Sequence, residues 1–293
     1  MNRIYFDHSA TTPTSKEVFN EMIPFFCDIY GNGSSQHFHG REAGKYIDIA
    51  RRQVADAIGA KAGEIYFTSG GTESDNWAIR GALEGYKAKG KHIITTCIEH
   101  PAMIKTLESL EKNGLCEVTF LSVDSEGFIS LEELKSAIRP DTILISVMTA
   151  NNEIGTIQDI KTIGEIAKAN NILFHTDAVQ AIGNVRIDVN EMNIDLLSMS
   201  AHKFYGPKGI GVLYRKNGIK LGSYMTGGEQ ERNMRAGTLN TPAIVGCGKA
   251  IEIAVRDMDK NNEYVSSLRD YFVSQIESKI SNVYYNGTKS DKR

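Results

Sequence analysis

The segment MSAHKFYGPKG, residues 199–209, places a lysine directly after an apolar, strand-like run. A lysine in a partly desolvated site beside cationic groups has a lowered amine pKa, and its neutral amine can attack an aldehyde to form a Schiff base. Ser200 and His202 can hydrogen-bond a phosphate beside Lys203, and the glycines and proline that follow can direct the lysine inward. A lone lysine is usually a solvated surface residue, so neighbouring motifs must decide between these interpretations.

A second candidate is the turn Gly70-Gly71-Thr72, which follows the strand-like run EIYFTS and precedes a helical pattern. Two glycines and a threonine at a helix start can present backbone N–H groups and a hydroxyl to an anion, and the helix dipole favours negative charge there. An ordinary strand-to-helix turn with Thr72 as N-cap is the alternative. The segment is not a Walker motif.

Three further strand-like runs end in polar side chains. His100 can lie over a flat ligand or act in acid–base catalysis, although a lone histidine is more often structural. Asn152 can hydrogen-bond a ligand oxygen or cap a turn. Asp177 and Gln180 end the apolar run FHTDAVQ, where a buried carboxylate needs a partner such as a protonated ring nitrogen or a neighbouring arginine or lysine.

These candidates become informative in combination. A phosphate-binding turn, a histidine beside a flat ring, an asparagine and glutamine for a ring oxygen, a buried aspartate and a Schiff-base lysine are together the requirements of pyridoxal 5′-phosphate (PLP). The combination therefore predicts a PLP site, which none of the motifs indicates by itself.

Alternating strand and helix patterns would bring these residues to one edge of a sheet. Such alternation predicts an α/β fold with a mainly parallel sheet covered by helices on both faces, and ligands bind at the carboxyl ends of its strands. The predicted strands are 64–69, 92–98, 117–123, 142–148, 172–179, 195–200 and 211–216. The predicted helices between them are 72–90, 102–114, 130–140 and 160–171, the third opening with a capping box at Ser130 and Glu133.

Three regions are expected along the chain. Residues 1–15 do not follow the alternation and predict an extended N-terminal arm. Residues 16–256 form the large PLP-binding domain. Residues 257–293 begin with a charged helical pattern and end in a polar stretch, which predicts the start of an incomplete small C-terminal α+β domain.

The bulk composition limits the class of protein. The 293 residues carry 33 Lys+Arg and 36 Asp+Glu, a formal charge of −3, with no basic run that would suggest a nucleic-acid or anionic-membrane partner. No signal peptide or apolar span of about 20 residues occurs, so we expect a soluble cytoplasmic protein. The four cysteines are far apart and the histidine pair 37 and 39 is weak metal evidence, so neither a disulfide framework nor a metal site is predicted.

The chain resembles the cysteine desulfurases, which belong to the class V, fold-type I PLP enzymes. The resemblance runs from residue 5 to residue 246 and is closest to the subgroup that supplies sulfur for iron–sulfur clusters. It is carried by YFDHSATTPT (5–14), FTSGGTESDN (67–76), TANNEIG (149–155), HTDAVQ (175–180), SAHKFYGPKGIG (200–211) and RAGT (235–238).

The resemblance implies catalytic roles for three residues. Lys203 would form the Schiff base with PLP and move a proton from the substrate Cα. His100 would stack on the pyridine ring, and Asp177 would pair with the ring nitrogen. Gln180 would hydrogen-bond the ring hydroxyl, with Asn152 near it.

The resemblance also implies a phosphate site and an assembly. Gly71, Thr72, Ser200 and His202 would hold the cofactor phosphate. Thr238 is similar to the residue that reaches the phosphate of the neighbouring subunit, which implies a homodimer with composite sites.

The implied reaction converts L-cysteine to L-alanine and leaves sulfur as an enzyme persulfide, for delivery to an iron–sulfur scaffold or another acceptor protein. The family's persulfide cysteine and its carboxylate-binding arginine are expected beyond residue 293, and Gly33 replaces the usual proline of its loop. Two alternatives stay open: a PLP-binding module without desulfurase activity, and a selenocysteine lyase or class V aminotransferase. None of Cys27, Cys97, Cys116 and Cys247 matches the family's nucleophile motif.

Overall fold

The computed structural model describes residues 3–290. This part of the chain forms a seven-stranded sheet in the order β1-β7-β6-β5-β4-β2-β3. All neighbouring strands are parallel except at β7, which is antiparallel to β1 and β6. The strands are β1 (Ile65–Thr68), β2 (His92–Thr96), β3 (Glu117–Leu121), β4 (Thr142–Ser146), β5 (Leu173–Asp177), β6 (Leu196–Ser200) and β7 (Gly211–Arg215).

Helices cover both faces of the sheet. One core cluster lies between the sheet and α4 with α5, and another lies between the sheet and α1, α3, α7 and α9. Side chains alternate between the two faces along each strand, so that Ile93 packs into the first cluster and Ile94 into the second. The helices are α1 (Lys16–Met22), α2 (Pro24–Cys27), α3 (Phe38–Ala57), α4 (Gly71–Gly85), α5 (Pro101–Lys112), α6 (Leu131–Ala137), α7 (Ile160–Ala169), the short α8 (Gln230–Asn233), α9 (Thr241–Arg256) and α10 (Met258–Lys279).

The predicted α/β fold is confirmed, and each predicted strand lies within two residues of an observed one. The predicted capping box is only half present. The Ser130 hydroxyl accepts from the Glu133 N–H at 3.2 Å, but the Glu133 carboxylate accepts from Ser122 at the end of β3 instead. Helix α6 also stops at Ala137, before the predicted end at residue 140, because Ile138 is extended.

The N-terminal arm, residues 3–15, is bound to the segment after β6. The Thr12 N–H donates to the His202 carbonyl at 2.9 Å, and the Tyr205 N–H donates to the Thr12 hydroxyl at 2.9 Å. The Thr11 hydroxyl and His202 Nδ1 are 3.0 Å apart. These bonds join positions about 190 residues apart, so the arm forms a wall beside Lys203. The predicted domain limits at residues 15 and 256 stay a prediction.

A buried ion pair covers the outer edge of β1. Arg51 and Glu231 form two hydrogen bonds of 2.9 and 2.6 Å. Glu231 also accepts from the Phe67 N–H at 2.9 Å, and Arg51 donates to the Ile65 carbonyl at 2.6 Å. Arg232 donates to the same carbonyl at 2.6 Å. Side chains thus bond two backbone groups of β1, the Ile65 carbonyl and the Phe67 N–H, on the edge that does not pair with β7.

The turn at α8 has an unusual backbone. Glu231, Arg232 and Asn233 have φ values of 45°, 58° and 64°, the left-handed region that non-glycine residues rarely occupy. A conformation of this kind persists only where surrounding contacts over-determine it. The buried ion pair of Glu231 supplies such contacts and fixes the loop that continues to Thr238.

Among residues 3–290, no helix combines the length and the apolar character required to cross a bilayer.

Candidate active site

A cavity of about 400 Å³ opens at the carboxyl ends of β4, β5 and β6, beside the start of α4. We call it the Lys203 cavity, and its size is typical of small-molecule sites. The sheet topology explains its position, because parallel strands end at the same edge. Nine of the ten predicted site residues line it: Gly71, Thr72, His100, Asn152, Asp177, Gln180, Ser200, His202 and Lys203.

Lys203 ends a short 3₁₀ turn, Ala201–Lys203, that follows β6 directly. Burial lowers the pKa of the Lys203 amine, and the negative charges of Asp177, Asp7 and Glu153 partly oppose this shift. The Nζ donates a hydrogen bond to the carbonyl of Ser9 in the arm. The lysine is therefore held in a partly desolvated cavity and is not a solvated surface residue, which suits a nucleophilic amine.

Asp177 is the last residue of β5 and is 5% exposed. Its Oδ1 accepts from the Val179 N–H at 2.8 Å. Burial raises the pKa of this carboxyl, while that hydrogen bond and the positive charges of His100 and Lys203 lower it. Within residues 3–290 no arginine or lysine lies within ion-pair distance of Asp177. The structural salt bridge considered from the sequence is thus not observed, and the carboxylate faces the cavity.

Two further buried acids, Asp75 in the lining of the cavity and Glu99 outside that lining, were not predicted. Asp75 on α4 lines the cavity, is 1% exposed and has its Oδ1 unbonded among the described residues. Burial, reinforced by the charge of Asp177, raises the pKa of Asp75 well above its ordinary value. Glu99, behind it, accepts from the Thr96 hydroxyl and the Met148 N–H, both at 2.8 Å.

A neutral histidine lies next to these acids. His175 is fully buried between the hydroxyls of Ser146 and Ser198, at 2.8 and 3.0 Å, and burial lowers its pKa to about 3. Its Nε2 is 3.8 Å from Asp75 Oδ1. An uncharged imidazole does not neutralise a carboxylate, so burial favours the protonated form of Asp75.

Glu99 should make stability depend on pH. Burial raises its pKa from 4.5 to about 8. The folded state therefore holds one more proton than the unfolded state between these values, and this contribution to the free energy of unfolding is lost as pH rises through about 8. We expect Glu99→Gln to remove this loss, whose slope approaches about 1.4 kcal/mol per pH unit for one proton. Urea unfolding of both proteins from pH 5 to pH 9 measures it, and parallel profiles would contradict the assignment.

His100 caps helix α5. Its Nδ1 accepts from the Ala102 N–H at 3.1 Å, so Nε2 is the ring nitrogen that this contact leaves free. The two interpretations of this histidine are therefore compatible, because a capping contact fixes the ring at the border of the cavity.

The phosphate residues predicted from the sequence meet where α4 begins. A Cβ at Gly71 would lie 2.7 Å from Val179 Cγ2, so no larger residue fits there without displacing its neighbours. Helix α4 begins at Gly71 with Gly70 as N-cap, so Thr72 lies inside the helix and is not the cap. The first N–H groups of α4 have no acceptor within the helix. Burial, then the charges of Lys203 and Lys208, lowers the pKa of His202.

The amides of Gln180 and Asn152 are bonded within the protein. Gln180 Nε2 donates to the Ser9 carbonyl at 2.9 Å, and Asn152 Nδ2 donates to the Glu153 carboxylate at 2.8 Å. Thr238 is exposed and does not line the cavity. Its role toward a neighbouring subunit stays a prediction.

The arm residues Asp7, Ser9 and Ala10 also line the cavity, and so do Met148 and Val179. The arm itself was predicted, but patterns of strands and helices contain no signal that it would line the cavity, because its contacts are non-local. The sequence did contain a signal that Asp75 would lie at the site. It follows Gly71 by four residues on α4, so both lie on the same helix face.

The residues of this site fit PLP. A lysine with a lowered amine pKa, a buried carboxylate without an ion-pair partner among residues 3–290, and a glycine turn at a helix N-terminus surround one cavity of suitable size. Comparison with known proteins supports the same cofactor. Residues 4–293 match the family model described as Aminotransferase class-V, and the chain belongs to that family, whose members depend on PLP.

Within the family, the chain belongs to the cysteine desulfurases. It is 56% identical over 294 residues to the cysteine desulfurase IscS of Clostridium botulinum (strain Hall), covering 100% of this chain and 74% of that protein. A solved NifS-like protein superposes with a TM-score of 0.92 at 42% identity, covering 94% of this chain and 76% of the other. A structure titled SspA in complex with cysteine gives 0.82 at 45% identity, over 85% and 72%.

Proposed function

We propose that this protein binds PLP in the Lys203 cavity and removes sulfur from L-cysteine, with L-alanine as the other product. The observation that carries the proposal is the placement of Lys203, Asp177 and the Gly71 turn around one cavity. The comparison proteins named cysteine desulfurase, and the relative solved with cysteine, support the same substrate.

PLP, when bound, supplies an electron sink for the charge left when the substrate loses its Cα proton. The protein's residues would do the rest. Lys203, with its lowered amine pKa, would take the proton from Cα and return it. Asp177 would place a negative charge beside the ring nitrogen, and His100, held by its cap contact, would cover the ring.

The proposed reaction also needs a thiol that accepts the sulfur. None of the four cysteines lines the cavity. Cys116 and Cys247 are buried, and burial raises their thiol pKa values to about 11 and 12, which makes them poor nucleophiles at neutral pH. Cys27 and Cys97 are exposed. A second candidate, for residues 1–293 assayed alone, is a PLP-binding module that turns over cysteine only with an added thiol.

A substrate assay tests both candidates. The purified chain, loaded with PLP, is incubated with L-cysteine, with and without dithiothreitol, and L-alanine and sulfide are measured. Equimolar alanine and sulfide support desulfuration, and dependence on dithiothreitol supports the external thiol. Keto-acid formation, or release of selenide from L-selenocysteine alone, would contradict the proposal and favour an aminotransferase or a selenocysteine lyase.

Asp177→Asn should separate catalysis from binding. The amide keeps the shape but not the charge, so turnover should fall by at least about 100-fold while part of the PLP stays bound. Asp195→Asn is the matched control, since Asp195 lies before β6, at the opposite end of the sheet. Alanine formation and bound PLP are measured for each. Near-normal turnover in Asp177→Asn would argue against the electron-sink role.

The remaining questions are how many subunits assemble and which protein receives the sulfur. We infer that the protein is a cytoplasmic homodimer in which Thr238 contacts the PLP phosphate of the second subunit, and that an iron–sulfur scaffold or another protein receives the sulfur. The fixed turn at α8 supports a defined position for this loop, and Arg235 ties it to Glu73 at 2.8 Å. Light scattering after size exclusion measures the subunit number, and a monomer that binds PLP normally would contradict the composite site.

A further inference from the structure

A second cavity of about 420 Å³ adjoins the Lys203 cavity on the outer side of the Gly71 turn. It shares Gly71, Thr72, Ser200 and His202 with the first cavity, and we call it the α4 cavity. Lys208 and Gly209 also line it, and neither lines the Lys203 cavity. The four residues predicted to hold phosphate thus line both cavities. The cation Lys208, to which the sequence analysis gave no role, lines only the α4 cavity.

The charges around the α4 cavity leave Lys208 uncompensated. Glu73 is the acid in its lining, and it is bonded to Arg235 at 2.8 and 3.2 Å and to Ser69. Lys208 donates to the Thr12 carbonyl at 3.3 Å and has no carboxylate within 4 Å among residues 3–290. His202 does not substitute for it as a cation, because burial, Lys203 and Lys208 lower the His202 pKa.

The turn after Lys203 fixes the backbone position of Lys208. A Cβ at Gly206 would lie 2.8 Å from both the Cβ and the carbonyl oxygen of Ala201, so the chain passes tightly against the 3₁₀ turn. Gly209 has a φ of 79°, which glycine adopts without strain. Lys208 lies between these two glycines, and its bond to Thr12 holds its side chain over the arm.

We propose that Lys208 is the cation that recognises the phosphate of the cofactor, so that the site selects PLP over the unphosphorylated aldehyde pyridoxal. This inference rests on the proposed PLP site. The first N–H groups of α4 and the hydroxyls of Thr72 and Ser200 supply hydrogen bonds but no full charge. A dianion in this position needs a positive charge nearby, and Lys208 has no other anionic partner among the described residues.

Equilibrium dialysis of Lys208→Met against PLP and against pyridoxal tests the proposal. Loss of a charge-assisted contact should weaken PLP binding by about tenfold and leave pyridoxal binding unchanged. PLP binding to the variant should also depend less on salt concentration than binding to the wild type. Lys208→Arg should retain most of the PLP affinity, and Lys161→Met, on the exposed start of α7, is the matched control.

Each outcome is decisive. Equal weakening of PLP and pyridoxal would mean that Lys208 supports the turn and does not bind phosphate, which overturns the proposal, and so does unchanged PLP affinity. Thermal unfolding of each variant shows whether the fold is retained. Failure of the wild-type protein to bind PLP would instead refute the proposed function, so the two failures are distinguishable.

Discussion

Lys203→Ala is expected to abolish covalent attachment of PLP and to reduce alanine formation by at least about 1,000-fold. In the wild-type protein, borohydride reduction after PLP loading should fix the cofactor on the peptide that contains Lys203. The reason is the lowered pKa of this amine, which burial maintains against three nearby carboxylates. Peptide mass mapping before and after reduction measures the attachment directly and does not require turnover.

The control for this experiment is Lys161→Ala, which removes a lysine from the exposed face of α7 and should leave the adduct in place. Lys203→Ala removes the bond to the Ser9 carbonyl as well. Thermal unfolding of Lys203→Ala therefore has to accompany the mapping. A wild-type adduct on any other lysine would refute the assignment of the reactive amine.

Breaking the buried pair between Arg51 and Glu231 is expected to have the largest effect on stability. The two side chains are 10% and 0% exposed, so Arg51→Met leaves an uncompensated carboxylate in the interior. Removing one partner of such a pair costs about 3–5 kcal/mol. Chemical unfolding should show a decrease of this size in the free energy of unfolding.

Two comparisons make this result specific. The pair Lys105–Glu108 on α5 is 74% and 50% exposed, and its removal should cost less than about 1 kcal/mol. Replacing both buried partners with apolar residues, Arg51→Met with Glu231→Leu, should recover part of the loss because no charge stays unpaired. A single variant as stable as the wild type would show that water or a neighbouring group compensates the remaining charge.

The strands were predictable because each is a short apolar run between polar segments. Helices α4 and α5 were predictable for a similar reason, since each carries one apolar face. Helices α1 and α3 were not located from the sequence, although Val18 and Ile47 are buried. The sequence analysis took up their region only as part of the large domain.

The residues of the site were predictable only in part. Strand ends indicated Asp177, Ser200 and Lys203, because topology alone brings the carboxyl ends of parallel strands together. Nothing in the local pattern indicated that Ser9 would accept bonds from Lys203 and Gln180. Contacts across more than 170 residues depend on how the whole chain packs. The roles of the site residues stay predictions until the experiments above are done.

The covered edge of β1 has a consequence for how the protein meets other chains. An open strand edge presents unpaired N–H and C=O groups and is a template for sheet extension between molecules. Here side chains occupy the Ile65 carbonyl and the Phe67 N–H, so another strand cannot add at β1 without displacing a buried ion pair. The opposite edge is β3, where Glu117 pairs with Arg139 at 2.7 Å. One edge is thus blocked by bonding and the other carries charge, and both features oppose aggregation through the sheet.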